Sequence, residues 1–312
     1  MWWLMTAALA MGPGPMADAD GPAARRAQRP PEEEPLDLER LRETGDVPLL
    51  TDLPTRGRLG PLRVRLGRQK SPFLASYLED VRSTPLSQRT LASAAVDADR
   101  MVGGGARWTH GPVAITAAAG HPDNLRGVAW DLLARGEVHA GALHVGAGGA
   151  QGQHDRFASR VVVADRFRWL ELDPRRAFLS RTSADLHWNP APIRLDAEAA
   201  SLRAGKGKRP LRVRSASAGL AVMLTGEKRP VDARVQPRRP WDPESGHLGA
   251  LELGTRFETV YATGEGRARI EQLSVGLTAH PLRTLRLPLV WTRAWMGQRS
   301  EDRLMLRITA DR

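Results

Sequence analysis

The sequence predicts an all-β protein, an antiparallel meander of about twelve strands from Pro61 to Ala310 behind a leader without regular structure. Three observations predict it. Beyond Pro61, apolar and polar residues alternate with a period of two in segment after segment, while helical spacing is scarce. Short proline-bearing turns alternate with long polar loops. No stretch approaches the roughly 18 uninterrupted apolar residues of a spanning helix, so any membrane passage belongs to strands.

Composition narrows the partners. Lys and Arg number 46 against 35 Asp and Glu, and the net charge of +11 points to an anionic partner: nucleic acid, lipid headgroup or small anion. Cysteine is absent, which excludes thiol chemistry, cysteine zinc sites and disulfides.

The first 60 residues differ in texture from the rest. An apolar run from Trp2 to Met11 leads through Gly and Pro to Ala17-Asp18-Ala19, the small-x-small pattern of a secretory cleavage site, and predicts a signal peptide over 1–19. Its start carries no Lys or Arg, so a buried N-terminus is the competing reading. Residues 20–60, with RRAQRPPEEEP at their centre, predict a disordered or tethering leader with at most one short helix near Leu36–Arg42.

The strands follow over 61–312. One helix is placed at Trp130–Val138, and the weakest strand at Arg160–Leu170. Thr182, Ala184, Leu186 and Trp188 then oppose Arg181, Ser183, Asp185 and His187, and Ile193, Leu195, Ala197 and Ala199 oppose Arg194, Asp196 and Glu198. Leu251, Leu253, Phe257 and Tyr261 share a face against Glu252, Gly254, Arg256 and Glu258. In QLSVGLTA the residues Leu273, Val275, Leu277 and Ala279 share another, and Leu304, Leu306 and Ile308 close the series against Arg303, Arg307 and Thr309. Tight turns are expected at Asn189-Pro190 and His280-Pro281, and a long loop over Thr225–His247.

Period alone leaves two architectures open. A soluble sandwich or barrel turns the apolar face inward, whereas a membrane barrel turns it toward lipid and lines a lumen with the polar face. Arg63, Arg65, Arg107, Arg181, Arg194, Arg212, Arg214, Arg256, Arg286, Arg303 and Arg307 recur on the polar faces. On a soluble protein they are a solvated surface; in a barrel they make a lumen that attracts anions.

Motifs for chemistry are absent. VGAGGAQGQ lacks the spacing of a phosphate cradle, and no serine sits in a Gly-x-Ser-x-Gly elbow. Asp196 and Glu198 read as solvated strand charges, and His139, His144 and His154 lack a metal-ligand spacing, so neither enzyme, cofactor nor metal is expected. AGKGKRPLRVR is a short basic hairpin without stacking aromatics, too little for a nucleic-acid surface.

Two further stretches carry a family resemblance. SAGLAVMLTGEKRPVD followed by GALELGTRFETV resembles paired signatures of the phosphate-selective porins of the porin O and porin P type, with Leu224, Thr225, Gly226 and Glu227 ending one strand and Gly249, Ala250, Glu252, Leu253 and Arg256 opening the next. Gly67, Lys70, Pro72 and Phe73 match that family's Gly-x-x-Lys-x-Pro-Phe strand end. QLSVGLTAHPLRTLRLPLVWTRAW resembles its penultimate hairpin, and DRLMLRITADR its closing strand. The chain departs from the pattern in lacking wall strands ahead of that Phe motif and in ending on Arg312.

The resemblance implies a shortened up-and-down transmembrane β-barrel in the outer membrane of a Gram-negative bacterium, with its tight turns on the periplasmic side. It also implies passive diffusion of small anions, phosphate by analogy, outer-membrane lipid as surroundings and a homotrimer as assembly. A constriction would be formed by Lys70, Arg82, Arg89 and Arg100 on a folded-in loop and its strand, with Arg63, Arg65, Arg107, Arg181, Arg256 and Arg303 facing the lumen. The alternatives are a non-conducting periplasmic or outer-membrane β protein of structural or binding role, and a basic nucleic-acid-binding protein.

Overall fold

A computed structural model describes residues 55–79, 84–86, 88, 90–96, 100–122, 129–154, 162–163, 167–168, 177–205, 210–229, 235–242, 244–264 and 267–310. The signal-peptide and leader expectations, the helix near Leu36 and most of the strand at Arg160–Leu170 lie outside them, apart from the leader's last residues.

Among the described residues, fourteen strands form one antiparallel sheet. In chain order its strands are β1 (Thr55–Leu59), β2 (Leu62–Lys70), β3 (Arg100–His110), β4 (Val113–Pro122), β5 (Ala129–Ala140) and β6 (Leu143–His154). A two-residue hairpin, β7 (Val162–Val163) and β8 (Phe167–Arg168), pairs on its own. The wall resumes with β9 (Ala177–Trp188), β10 (Ile193–Ala204) and β11 (Leu211–Met223). A second small hairpin, β12 (Trp241–Asp242) and β13 (His247–Leu248), precedes β14 (Ala250–Thr263), β15 (Arg267–His280), β16 (Leu285–Met296) and β17 (Arg299–Leu306). The last strand, β18 (Thr309–Ala310), turns back onto β16.

The expected count of about twelve is thus too low, and the first strand begins at Thr55, ahead of the expected boundary at Pro61. Arg56, Gly57 and Arg58 hide the alternation there. Trp130–Val138 is strand, not helix: Trp130, Leu132 and Val138 are exposed on one face while Asp131, Leu133, Arg135 and Glu137 are buried on the other. Among the described residues β1 pairs only with β2 and β17 only with β16.

Most wall strands present a largely apolar outer face and a mostly polar inner one. Leu253, Phe257 and Tyr261 of β14 are exposed, while Glu252, Arg256 and Glu258 between them are buried. Outward aromatics gather toward the two ends, Trp108 and Trp188 at one, Trp130, Tyr261 and Trp295 at the other. Two arginines expected on the polar face do not lie there. In β11 it is Val213 and Ser215 that are buried, and Arg212 and Arg214 point outward.

The two-residue turns at Gly60, Gly111 and Gly141 share one end, whereas the Gly297-Gln298 turn between β16 and β17 lies at the other. Gly60, Gly111 and Gly141 each take a positive φ at the first position of a two-residue turn, a conformation that costs glycine nothing. The four-residue turns at Asn189 and Pro281 lie at the same end, and so does the long loop 224–249, so the long loops are not confined to the opposite end.

The segment between β2 and β3 enters the sheet's inner face from the other end. It carries two short helices, α1 (Ala75–Leu78) and α2 (Leu91–Ala95), the latter capped by Thr90, whose hydroxyl accepts from the Ser93 amide. Its Phe73, Leu74, Leu91 and Val96 pack against Leu133, Leu179, Leu202, Val213, Val260 and Ile270 of the wall. These apolar inner residues break the simple alternation because they cover a buried segment instead of water. One segment touching β5 through β16 means that the sheet wraps around it.

Candidate functional site: a clamped inner segment beside a basic cavity

Polar side chains of the wall hold the inner segment at named points. Arg135 donates from Nε to Glu137 at 2.9 Å, pairs with Asp185, and reaches the Phe73 carbonyl at 3.3 Å, which also accepts from Ser183 at 2.7 Å. Arg181, 2.6 Å from Asp131, lies over the Phe73 ring. Arg194 grips Glu79 with both terminal nitrogens, at 2.6 and 2.7 Å, and Asp196 with Nε. Glu198 accepts from the hydroxyls of Ser76 and Thr90, at 2.7 and 2.9 Å, and from the Ser76 amide.

Further round the wall, Glu258 accepts from the Leu91 amide at 2.6 Å, Arg256 donates to the Gln88 carbonyl at 3.1 Å, and Arg286 donates to the carbonyls of Thr84 and Pro85. Leu86 seats over the cross-strand glycines Gly254 and Gly276, where a Cβ would lie 3.2 and 2.9 Å from its methyl. Buried charges are tolerable here because each has an opposite charge or a backbone dipole to face.

At the end of the Gly60, Gly111 and Gly141 turns, described parts of the loop 224–249 pack on the wall. Its Arg229 is buried against Glu252, which is also 3.3 Å from His280, and Val235 packs on Met223 and Ala250. Burial pushes the Arg229 guanidinium below its ordinary value, and Glu252 opposes that shift.

Beside the inner segment, against β1–β3, a cavity of about 850 Å³ remains. Arg58, Arg63, Arg65, Arg68, Lys70, Arg100 and Arg107 line it, and no carboxylate does among the described residues. Register explains the concentration: Arg58 lies opposite Arg63, and Arg63 opposite Arg107, so three guanidinium-bearing residues cross three neighbouring strands in one row. Like charges directly opposite destabilise a sheet unless an anion or a carboxylate shares their field. Glu137, 2.6 Å from Arg107, serves one end of the row.

The sequence-derived residues therefore divide. Arg63, Arg65, Arg107, Lys70 and Arg100 line the cavity. Lys70 donates to the carbonyls of Leu78 and Glu79, anchoring the inner segment at the cavity mouth. Arg181 and Arg256 lie on the inner face but are buried in the clamp. Arg303 of β17 lies opposite the buried Thr292, on the same face. Arg82 and Arg89 lie outside the described residues.

Sequence spacing missed a row of histidines. The β5–β6 hairpin sets His139 opposite His144, with ring centroids 4.2 Å apart, and β9 adds His187 at 5.5 Å. Glu137, His139 and His144 bring one ligand atom each within 4.8 Å of the others. The donor set fits a cation poorly, because the Glu137 carboxylate is shared between Arg135 and Arg107. The signal in the sequence was the hairpin: residues equidistant from the Gly141-Ala142 turn face each other.

No family model and no curated protein matches the chain. Solved structures do. The outer-membrane expressed OmpT of Vibrio cholerae superposes with a TM-score of 0.53 at 12% identity, over 78% of this chain and 69% of that one. A form of OmpT lacking loop L8 gives 0.54 at 11% identity, over 82% and 78%, and in-vitro folded OmpT in its trimer form gives 0.53 at 11%, over 78% and 69%. At these identities the likeness is one of fold: an antiparallel strand wall of outer-membrane type.

Proposed function

We propose that this chain is an outer-membrane porin-like barrel whose remaining inner space admits small anions. The observation that carries the reading is the cavity along β1–β3, lined among the described residues by seven basic side chains and placed on the inner face of a wall whose outer face is largely apolar. A low-dielectric wall focuses the field of such a lining, and several cations in series let an anion pass from one to the next. Arginine also binds oxyanions through paired N–H groups, so phosphate, the anion of the resembled family, is the finer proposal. Lys70, Arg82, Arg89 and Arg100 are retained as the proposed constriction, and a trimer like that of the OmpT form above as the proposed assembly.

A specific observation favours a second reading, a closed barrel with a structural or binding role. Inner-face residues away from the cavity are fully covered, Glu258, Ser274 and Thr278 among them, so the inner segment fills that side. One experiment separates the two. Purified protein in planar bilayers under a salt gradient is expected to conduct with an anion-selective reversal potential, and Arg63→Glu/Arg65→Glu/Arg107→Glu to shift it toward cations. Cation preference in the unaltered protein overturns the anion reading; absence of conductance establishes the closed one.

A further inference from the structure

The outer face carries a basic surface that the proposed channel does not use. Register aligns two rows of it across β10, β11, β14 and β15. In the first, Arg203 lies opposite Arg212, Arg212 opposite Thr263, and Thr263 opposite Arg267. In the second, Ser201, Arg214, Tyr261 and Arg269 follow one another in the same way. All five arginines are exposed and face outward, at the end opposite the turns at Gly60, Gly111 and Gly141.

Glu271, 2.5 Å from Arg269, is the one acid in the next row. Beyond it toward the end of those turns come Ala197, Ala218, Phe257 and Leu273, then Leu195, Leu220, Thr255 and Val275, then Ile193, Val222, Leu253 and Leu277. Each row lies about 7 Å further along the strand, so these rows cover the greater part of an apolar band about 25 Å tall.

We infer that these five arginines bind the phosphate groups of anionic lipid headgroups at the edge of the bilayer, an inference that rests on the outer-membrane reading. Position gives the first argument: the rows begin where the apolar band stops, the depth of the headgroups, and Tyr261 stands between Arg214 and Arg269 as an interfacial aromatic. Charge gives the second. Arg203 and Arg212 are directly opposed like charges on an exposed surface, an unfavourable pairing that a bridging phosphate reverses by taking paired N–H groups from both. Asymmetry gives the third, because the same end of β5, β6 and β9 offers Trp130, Gln151, Gln153 and Thr182, none of them charged. A surface merely kept soluble would not gather five arginines at one end of β10, β11 and β15, in two rows bridged by Thr263 and Tyr261 of β14.

The full chain in detergent is titrated with phosphatidylglycerol and, separately, with phosphatidylcholine, and bound lipid is read by native mass spectrometry. Phosphatidylglycerol is expected to be retained preferentially, less so as salt rises. Each basic residue strengthens attachment to an anionic surface roughly fivefold, so Arg203→Gln/Arg212→Gln/Arg267→Gln should weaken that preference on the order of 100-fold. Arg238→Gln/Arg239→Gln, on the loop at the other end, should leave it unchanged.

Equal retention of both lipids, or an unaffected triple variant, overturns the inference. Inorganic phosphate binding as tightly as the lipid would assign the patch to a free anion and overturn it too. Flotation with phosphatidylcholine vesicles tests the membrane reading by itself: protein that floats yet shows no headgroup preference sinks only this inference, and protein that does not float sinks both. Should the triple variant fail to float, Arg212→Gln, expected to lose roughly fivefold, decides the matter.

Discussion

Arg135 shows how much one side chain can be asked to hold. Its guanidinium faces two carboxylates and a carbonyl, and its side chain is almost wholly buried. Replacing it with Met strands Asp185 and part of Glu137 without a counter-charge, a loss of about 3–5 kcal/mol. Arg135→Met/Asp185→Leu, which removes the principal pair together, is expected to cost much less. Urea unfolding in detergent, followed by tryptophan fluorescence, measures both, and equal losses would show that the pair's electrostatics are not what matters. The sequence held this residue's orientation in plain view. Asp131, Leu133, Arg135 and Glu137 keep a period of two, but the leucines and alanine of WDLLARGEV satisfy helical spacing as well, and only pairing with β4 and β6 decides between them. The clamp was not legible at all, since its charges looked solvated until a segment far away in sequence covered them.

At the scale of elements, the alternation of β9, β10, β14 and β15 was legible over the stretches where an apolar face opposes a polar one, Arg181–Trp188 and Gln272–Ala279 among them, and it lapses where Leu179, Leu202, Val260 and Ile270 turn inward. β1 and β11 were misjudged where arginines sit on the outer face or glycine interrupts it. The seat of Leu86 depends on two elements at once: Gly254 and Gly276 are paired across β14 and β15, and the depression they leave takes its side chain. Leu86→Ala is expected to cost about 2–5 kcal/mol, the range of a buried leucine whose site cannot collapse. Gly276→Leu should fill the depression and expel the inner segment, read as faster limited proteolysis within 71–99 while the wall stays intact. Unchanged cleavage would mean that the polar clamp alone retains the segment.

For the whole molecule, the sequence conveyed the antiparallel order and the outward apolar face, but not what occupies the inside. Interior volume depends on where loops 71–99 and 224–249 settle, and loop sequence carries no period to report it. If the second loop covers the conducting path, excising 228–246 and joining the ends through glycines should raise single-channel conductance severalfold without changing the sign of selectivity. An unchanged conductance would route the ions clear of that loop.

The inner segment also constrains the order of events during biogenesis. Its partners Arg135, Arg194, Glu198, Glu258 and Arg286 lie between 62 residues (Phe73 to Arg135) and 202 residues (Thr84 to Arg286) further along the chain. It emerges from the ribosome long before its receptors exist, and contacts so distant in sequence form slowly because loop closure must come first. Hairpins such as β5–β6 and β14–β15 can zip locally, whereas the segment's docking stays incomplete until β16 brings Arg286 to the carbonyls of Thr84 and Pro85. A chain halted ahead of β9 would therefore carry a tenant most of whose seats do not yet exist, exposing Phe73, Leu86 and Leu91 to whichever chaperone escorts it.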